Sequence, residues 1–397
     1  MVPLQHLAPA AAAAVFAATF TLLAMGRLGK WPVPRGAAAL GGGLLTALLL
    51  GVGWSAIDLQ VILLIVGLMA FASLAEEAGA FAGLRRTLDR LPPRLALWIC
   101  LLITALASAA LLNDAAIVVL VPYLIPELRR LGLDPAVSVI LMAVAANLGS
   151  LLTPFGNPQN AVLAQAAHLS LVDFLVAQAL PVAFGLALLG IAAWRARVEP
   201  GQEPPVAPLR PRGRAWLLAC FALFIGLAAW PDRPIGLGTT AAASAALAWL
   251  GLRPILLRDA DRAVVRSLDW NVIALFVGLY LLTGGLSQWA PQPDLSVLLD
   301  DPVRAAAGVT ALSNTIGNVP AVLTLLRIDE TWSIAHAMFL VSVSTLGGAL
   351  FLTGSAASLL AADQARRHGI SIRFVPFLRH AAPWTLPVLV LAAWLHW

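Results

Sequence analysis

Apolar runs leave this chain almost no room for anything but a membrane fold. They fall at roughly 9–26, 36–53, 59–78, 95–126, 136–167, 173–194, 215–230, 235–252, 269–287, 303–326, 332–362 and 376–396, and one bilayer crossing takes about 20 apolar residues. Ten crossings and two shorter re-entrant segments nearly exhaust the 397 residues, leaving no space for an extramembrane enzyme domain. With 60% hydrophobic and 11% charged residues, a set of soluble domains is excluded. The net charge of +5 comes from Arg placed between the runs, which suggests topogenic loops rather than a nucleic-acid surface. Cys100 and Cys220 lie far apart in apolar stretches and imply neither a disulfide nor a metal site. The first run lacks a basic leader and a cleavage pattern, so it reads as a retained span.

Charge then sets the topology. The polar stretch 195–214 is a linker between a first half (1–194) and a second half (215–397). If runs 95–126 and 303–326 are hairpins that return to their own side while the other ten cross, 22 of the 25 Lys and Arg fall on one side. That side is the cytoplasm, and both termini are then outside, in the periplasm of an inner-membrane protein. The halves also repeat. Residues 58–68 align with 269–279 at seven of eleven positions, Ser108 and Asn113 match Ser313 and Asn318, and Leu148-Gly149 and Gly156 match Leu346-Gly347 and Gly354. Asp58 and Asp269 fall on opposite sides, so the expected fold is an all-α polytopic protein of two inverted repeats. Each has five spanning helices, one re-entrant hairpin, and a helix broken at the midplane (about 136–167 and 332–365).

Four segments interrupt apolar runs with polar, helix-breaking residues, which a bilayer tolerates only where protein or a wet cavity satisfies the backbone. In the first hairpin Ser108, Asn113 and Asp114 offer amide and carboxylate groups, and the next half-helix aims its positive N-terminus at the same place. Asn113 or Asp114 as a plain N-cap is the competing reading. In the second segment, Thr153, Gly156, Asn157, Gln159 and Asn160 surround two prolines, so unwound carbonyls and three carboxamides suit Na+ or a polar solute better than a simple proline kink. The third holds Ser313, Asn314 and Asn318, with Val319 where the first half has Asp114. The fourth, Thr353, Gly354, Ser355 and Ser358, is a milder break that either completes a site or lets helices pack closely. Glu76 and Glu77 end a span, where snorkelling is the simpler role although they would also serve a proton path, and Asp363, after the fourth break, either faces the cavity or caps its helix end. No metal-spaced His pair, phosphate-binding loop or hydrolase motif occurs, so no cofactor and no enzymatic activity are expected.

At these residues the chain resembles the citrate transporter-like ion transporter superfamily, which includes arsenite-efflux permeases and divalent anion:sodium symporters. Asn113-Asp114-Ala115-Ala116, an apolar run to Pro122, then Leu131-Gly132, is similar to the arsenite-permease pattern, and Ser313 through Pro320 to the second-half Ser-Asn signature. Gly156 through Asn160 is more similar to a less characterised branch of anion permeases. The resemblance implies a scaffold domain and a transport domain holding both hairpins, a homodimer, an elevator motion, and an ATPase partner if the arsenite type applies. It also implies Na+ at Ser108, Asn113 and Gly156. Leu112 and Asp114 stand where the symporters carry Ser and Thr, and Ser358 where an Asn is often found, which favours H+ over Na+ as the coupling ion. The expected function is H+- or Na+-coupled transport of a small anion or oxyanion, arsenite-like, inorganic or carboxylate. A Na+/H+ antiporter using Asp114 is the alternative, and a channel or membrane-embedded hydrolase stands below both.

Overall fold

The computed structural model describes residues 7–25, 27–28, 31–80, 84, 87–88, 90–200, 213–230, 235–256, 258–268, 270–289, 301–326 and 333–397. In the first half the helices are α1 (Leu7–Met25), α2 (Arg35–Leu50), α3 (Leu59–Glu77), α4 (Pro93–Ala110), α5 (Asn113–Arg130), α6 (Pro135–Ser150), α7 (Pro158–Ala166) and α8 (Leu171–Trp194). The second half holds α9 (Arg214–Ala228), α10 (Leu237–Leu256), α11 (Arg258–Ser267), α12 (Trp270–Trp289), α13 (Pro302–Ile316), α14 (Asn318–Leu325), α15 (Ile334–Ala349), α16 (Ala356–Arg367) and α17 (Phe374–His396). A two-residue antiparallel pair, β1 (Arg27–Leu28) and β2 (Trp31–Pro32), turns the chain between α1 and α2.

Prolines open α4, α6, α7 and α13 at the first helical turn, where the missing N–H has no intrahelical partner to lose. Among the described residues three helices, α4, α8 and α17, are by length and composition able to cross a bilayer, and shorter apolar helices make up most of the rest.

Two differences from the sequence reading stand out. The first hairpin is longer than 95–126, because α5 continues through Pro122 and Pro126 to Arg130, its last turn held by an Arg130–Glu127 ion pair at 2.9 Å. An 18-residue arm is about 27 Å long, close to the thickness of the hydrocarbon core, so α4 is more than a half-way dip. The basic stretch after Arg253, expected to be loop, contains α11, whose Arg and Asp alternate with Val264 and Val265 in a strongly amphipathic pattern. Most of the 195–214 linker, residues 201–212, lies outside the described residues, as do Asp269, Asp294, Asp300 and Arg327.

The ends of α4 and α5 meet the same short stretch of linker. Arg94 Nε donates to the Ala196 carbonyl at 3.3 Å, and the Glu199 N–H donates to the Gly132 carbonyl at 2.8 Å beside a Leu133–Val198 bridge. Gly132 takes φ +71° there, and a Cβ would stand 1.6 Å from the Glu199 oxygen. The pair therefore leaves and returns on one face.

The two halves pack through contacts that occur twice with the halves exchanged: α12 lies on α2, and α3 lies on α10. The Gly36 N–H donates to Asn271 Oδ1 at 2.8 Å, while the Thr239 N–H donates to Gln60 Oε1 at 3.0 Å. Asn271 and Gln60 are aligned positions of the repeat. So are Gly67 and Gly278, whose added Cβ atoms would stand 2.7 Å from the Ala241 carbonyl carbon and 2.2 Å from that of Ala39. Small residues let these helix backbones touch, which is how helices pack where lipid offers no hydrophobic drive.

Candidate functional site

Each half breaks its helices twice, at α4/α5 and α6/α7 and again at α13/α14 and α15/α16. The first two breaks are stitched together. The Asn113 N–H donates to the Gly156 carbonyl at 2.9 Å, Thr153 Oγ1 to the Ala109 carbonyl at 2.7 Å, and Ser108 Oγ to the Ala146 carbonyl at 2.6 Å. Asn160 Nδ2 closes the α6/α7 loop by donating to the Ser150 and Thr153 carbonyls at 2.8 and 3.0 Å. In the second half Asn314 Nδ2 bridges the Thr310 and Gly347 carbonyls at 2.8 and 2.9 Å. The Asn318 amide, turned so that nitrogen faces oxygen, donates to the Gly354 and Ser344 carbonyls at 3.2 and 3.1 Å. The halves are joined by Gln159 Nε2 donating to Thr345 Oγ1 at 3.0 Å and Ser355 Oγ donating to Asn147 Oδ1 at 2.9 Å.

These four breaks enclose a cavity of about 110 Å³. Asn113 and Asp114 line it from the first, Asn157 and Gln159 from the second, Asn314 and Asn318 from the third, and Thr353, Gly354 and Ser355 from the fourth. The remaining predicted residues stand behind that wall. Ser108, Thr153, Gly156 and Asn160 hold the backbone in place, and the buried hydroxyls of Ser313 and Ser358 have no hydrogen-bond partner among the described residues. The lining extends to residues the sequence did not single out: Thr315, Leu23 of α1, and Val272, Leu275 and Phe276 of α12. The apolar ones look like any spanning helix. Asn147 and Thr345 carried a signal, as aligned polar residues just before Leu148-Gly149 and Leu346-Gly347.

Donors dominate the cavity. α5, α7, α14 and α16 begin at it, and their cap positions, Leu112, Asn157, Gly317 and Ser355, make no side-chain bond to the first turn. By contrast α6, α8, α13 and α15 each start on a capping Asp or Ser. Four helix N-termini thus turn the positive ends of their dipoles to one small space, although in α5 the Asn113 and Asp114 N–H groups are already engaged by Gly156 and by Asn113 Oδ1. Asn157 Nδ2 adds a buried donor with no partner among the described residues. Among the described residues no Lys or Arg lines the cavity, and Asp114 is the one carboxylate there. Asn113 and Asp114 are not N-caps: Leu112 is in that position, and Asn113 Oδ1 accepts from the Asp114 N–H at 2.8 Å.

Cation ligands divide unevenly. Around Ser108, Asn113 and Gly156 the hydrogen bonds above already engage the oxygens, whereas Ser313 Oγ, Asn314 Oδ1 and Ser358 Oγ remain without a partner among the described residues. Asp363 lies away from this cavity, where Arg366 and Arg367 bind its carboxylate and hold it below the usual carboxylate range.

A family model described as citrate transporter matches residues 20–333. The chain belongs to the citrate transporter family. This member of the family is 31% identical to the inner membrane protein YbiR of Escherichia coli K12, over 83% of its own length and 87% of that protein's. An uncharacterized transporter of Mycobacterium tuberculosis, Rv2685, is 27% identical over 96% of this chain and 97% of its own. Rice has a silicon efflux transporter, LSI3, that is 25% identical over 85% of this chain and 86% of its own length. Among solved structures, the YdaH transporter of Alcanivorax borkumensis superposes with a TM-score of 0.55 at 15% identity, over 89% of this chain and 87% of that one, a likeness of fold. The protein is a polytopic membrane transporter.

Proposed function

We propose that the protein is an ion-coupled secondary transporter of a small anion or oxyanion in the inner membrane, with the four-break cavity as its substrate site. The observation that carries this reading is the set of four helix N-termini without a side-chain cap around a cavity that no Lys or Arg lines among the described residues. Partial positive charge and amide donors bind an anion without a full counter-charge, so release on the far side stays cheap. A 110 Å³ space favours inorganic oxyanions or a small carboxylate over a bulky organic cargo. Silicate joins arsenite, phosphate, sulfate and citrate as a test solute because of the rice relative's name. Asp114 is the proton acceptor, and the driving ion is H+ in preference to Na+. The cavity lies between the broken helices and a wall of α1 and α12, which supports an elevator motion of the first group along the second.

Flux of each labelled solute into proteoliposomes, under an imposed pH or Na+ gradient, tests the reading. We expect one of these anions to move with the pH gradient, and Asp114→Asn to insert normally but lose the dependence on protons. Transport of Na+ with none of the anions would overturn the anion assignment. That outcome belongs to the second reading, a Na+/H+ antiporter, which the unpartnered oxygens of Ser313, Asn314 and Ser358 favour.

A further inference from the structure

Ser355 stands at the N-cap of α16 in ordinary extended backbone (φ −127°, ψ 139°), the position where a serine oxygen normally accepts from the first helical turn. Ser170 and Ser333 do so at the starts of α8 and α15: the Asp173 N–H donates to Ser170 Oγ at 3.2 Å, and the His336 N–H to Ser333 Oγ at 3.1 Å. Ser355 makes no such bond. Its hydroxyl turns instead to Asn147 Oδ1, 2.9 Å away in the opposite half of the chain.

Asn147 is built to take that proton. Its side chain is fully buried in α6, and Nδ2 donates to the Ala143 carbonyl one turn back at 2.9 Å, so Oδ1 is the end left for α16. A buried amide oxygen without a hydrogen is costly, and the Ser355 hydroxyl satisfies it. The arrangement recurs with the halves exchanged. Thr345, aligned with Asn147 and equally buried in α15, accepts from Gln159 Nε2 at 3.0 Å. In both halves the polar residue just before Leu-Gly thus receives a side chain from the opposite break, and in both the residue at the cap position leaves the helix after it uncapped.

What the serine leaves free, a solute can use. Ser355 and Ala356 line the cargo cavity, and the first N–H groups of a helix have no carbonyl within it to meet. A capping oxygen would occupy one of them and set its own lone pairs where an anion has to lie. We propose that Asn147 is a positioning residue of this cavity: by engaging the Ser355 hydroxyl it keeps α16 uncapped and its first-turn N–H groups available to the anion. Asn147 is not among the residues that line the cavity, so it acts through the serine. Without it the hydroxyl swings back onto its own helix. The effect on affinity rests on the anion reading of the cavity, whereas the state of the cap does not.

Hydrogen exchange on the full chain in lipid nanodiscs reads the cap, and flux in proteoliposomes reads its consequence. Asn147→Ala should slow the exchange of an amide among residues 356–358 about tenfold, the protection that one capping bond gives. Adding Ser355→Ala, which cannot cap, should return that exchange to the wild-type rate. For whichever of arsenite, phosphate, sulfate, silicate or citrate the wild type carries, Asn147→Ala should raise KM about tenfold, the worth of one hydrogen bond, with kcat little changed. The double variant should recover most of the lost affinity. A bond that merely supported the fold would make the double variant no better than the single one. Asn147→Leu, of similar volume, takes the place of the alanine variant if that one fails to insert. Unchanged exchange, an unchanged KM in a chain that transports, or a KM that Ser355→Ala does not restore would overturn the role of Asn147. Exchange as expected in a chain that moves none of the five solutes would refute the anion reading alone.

Discussion

Asn157 and Asn160 stand three residues apart, one at the N-cap of α7 and one in its first turn, and do different work. Asn157 Nδ2 has no partner among the described residues and belongs to a side chain that lines the cavity, whereas Asn160 Nδ2 ties two buried carbonyls. A hydrogen bond to a charged group is worth about 1.5–3 kcal/mol, so Asn157→Ala is expected to raise the KM for the cargo by about ten- to a hundredfold while thermal stability stays level. Asn160→Ala strands the Ser150 and Thr153 carbonyls and should cost about 1–3 kcal/mol of stability. Paired melting and flux curves check both, and equal destabilisation would deny Asn157 its ligand role. Charge at the linker face allows a test by pH. Arginines lower the Asp363 pKa, so its ion pair contributes above the usual carboxylate range and is lost as pH falls through the lowered value. Asp363→Asn should therefore melt slightly below the wild type at neutral pH, by less than about 1 kcal/mol for so exposed a pair, and the two curves should converge in acid. The polar residues inside apolar runs were legible from sequence because lipid makes such groups expensive. Which of them face the cavity and which fasten the loops was not, because that depends on partners forty or two hundred residues away, as with Thr153 on Ala109 and Gln159 on Thr345.

Breaks and caps decide what the elements offer to a solute. Gly317 separates α13 from α14 and Pro158 opens α7, and both positions could be read from the sequence because glycine permits the φ of +98° taken there and proline is excluded from a helix interior but not from its first turn. The helix at 258–267 could not: its alternating Arg and Asp suit a loop as well as a helix until α3 and α10 give its apolar residues something to cover. Nor did the sequence reveal that Gly67 and Gly278 are points of backbone contact rather than flexibility. Gly278→Ala brings a methyl to 2.2 Å from the Ala39 carbonyl carbon, so α12 and α2 must separate. Overpacking of that kind costs about 1–3 kcal/mol, to be measured as a lowered melting temperature in detergent. Gly226→Ala, where a Cβ meets nothing within 4 Å, is expected to change little or to stabilise slightly through helix propensity. If both variants melt with the wild type, the contact between the halves does not hold them together.

On the scale of the whole molecule, the exchanged contacts and the position of the ends make one argument. Start and end of the α4/α5 pair both touch 196–199, and the end of α16 touches Arg129, so these three places share a face. The C-terminal Trp397 instead packs against His336 and Phe339 at the start of α15, whose chain must pass through the fourth break and along α16 before it reaches the linker face. Arg94, Arg129, Arg195, Arg197, Arg366 and Arg367 gather near the linker, while the described residues around Trp397 bring only His336 and His396. Basic loops resist translocation, so the linker face is expected in the cytoplasm and Trp397 in the periplasm. In a cysteine-free background, a thiol at Glu199 and another at Gly369 should react with an impermeant maleimide only in inside-out vesicles, and one appended after Trp397 only in right-side-out cells. Labelling of Glu199 and Gly369 from opposite faces would break the link between α5 and α16 that the Arg129 bond makes. Labelling of all three from one face would require an extra crossing and so cancel the exchange of contacts between the halves. The experiment thus tests the architecture through its ends, without reference to what the cavity carries.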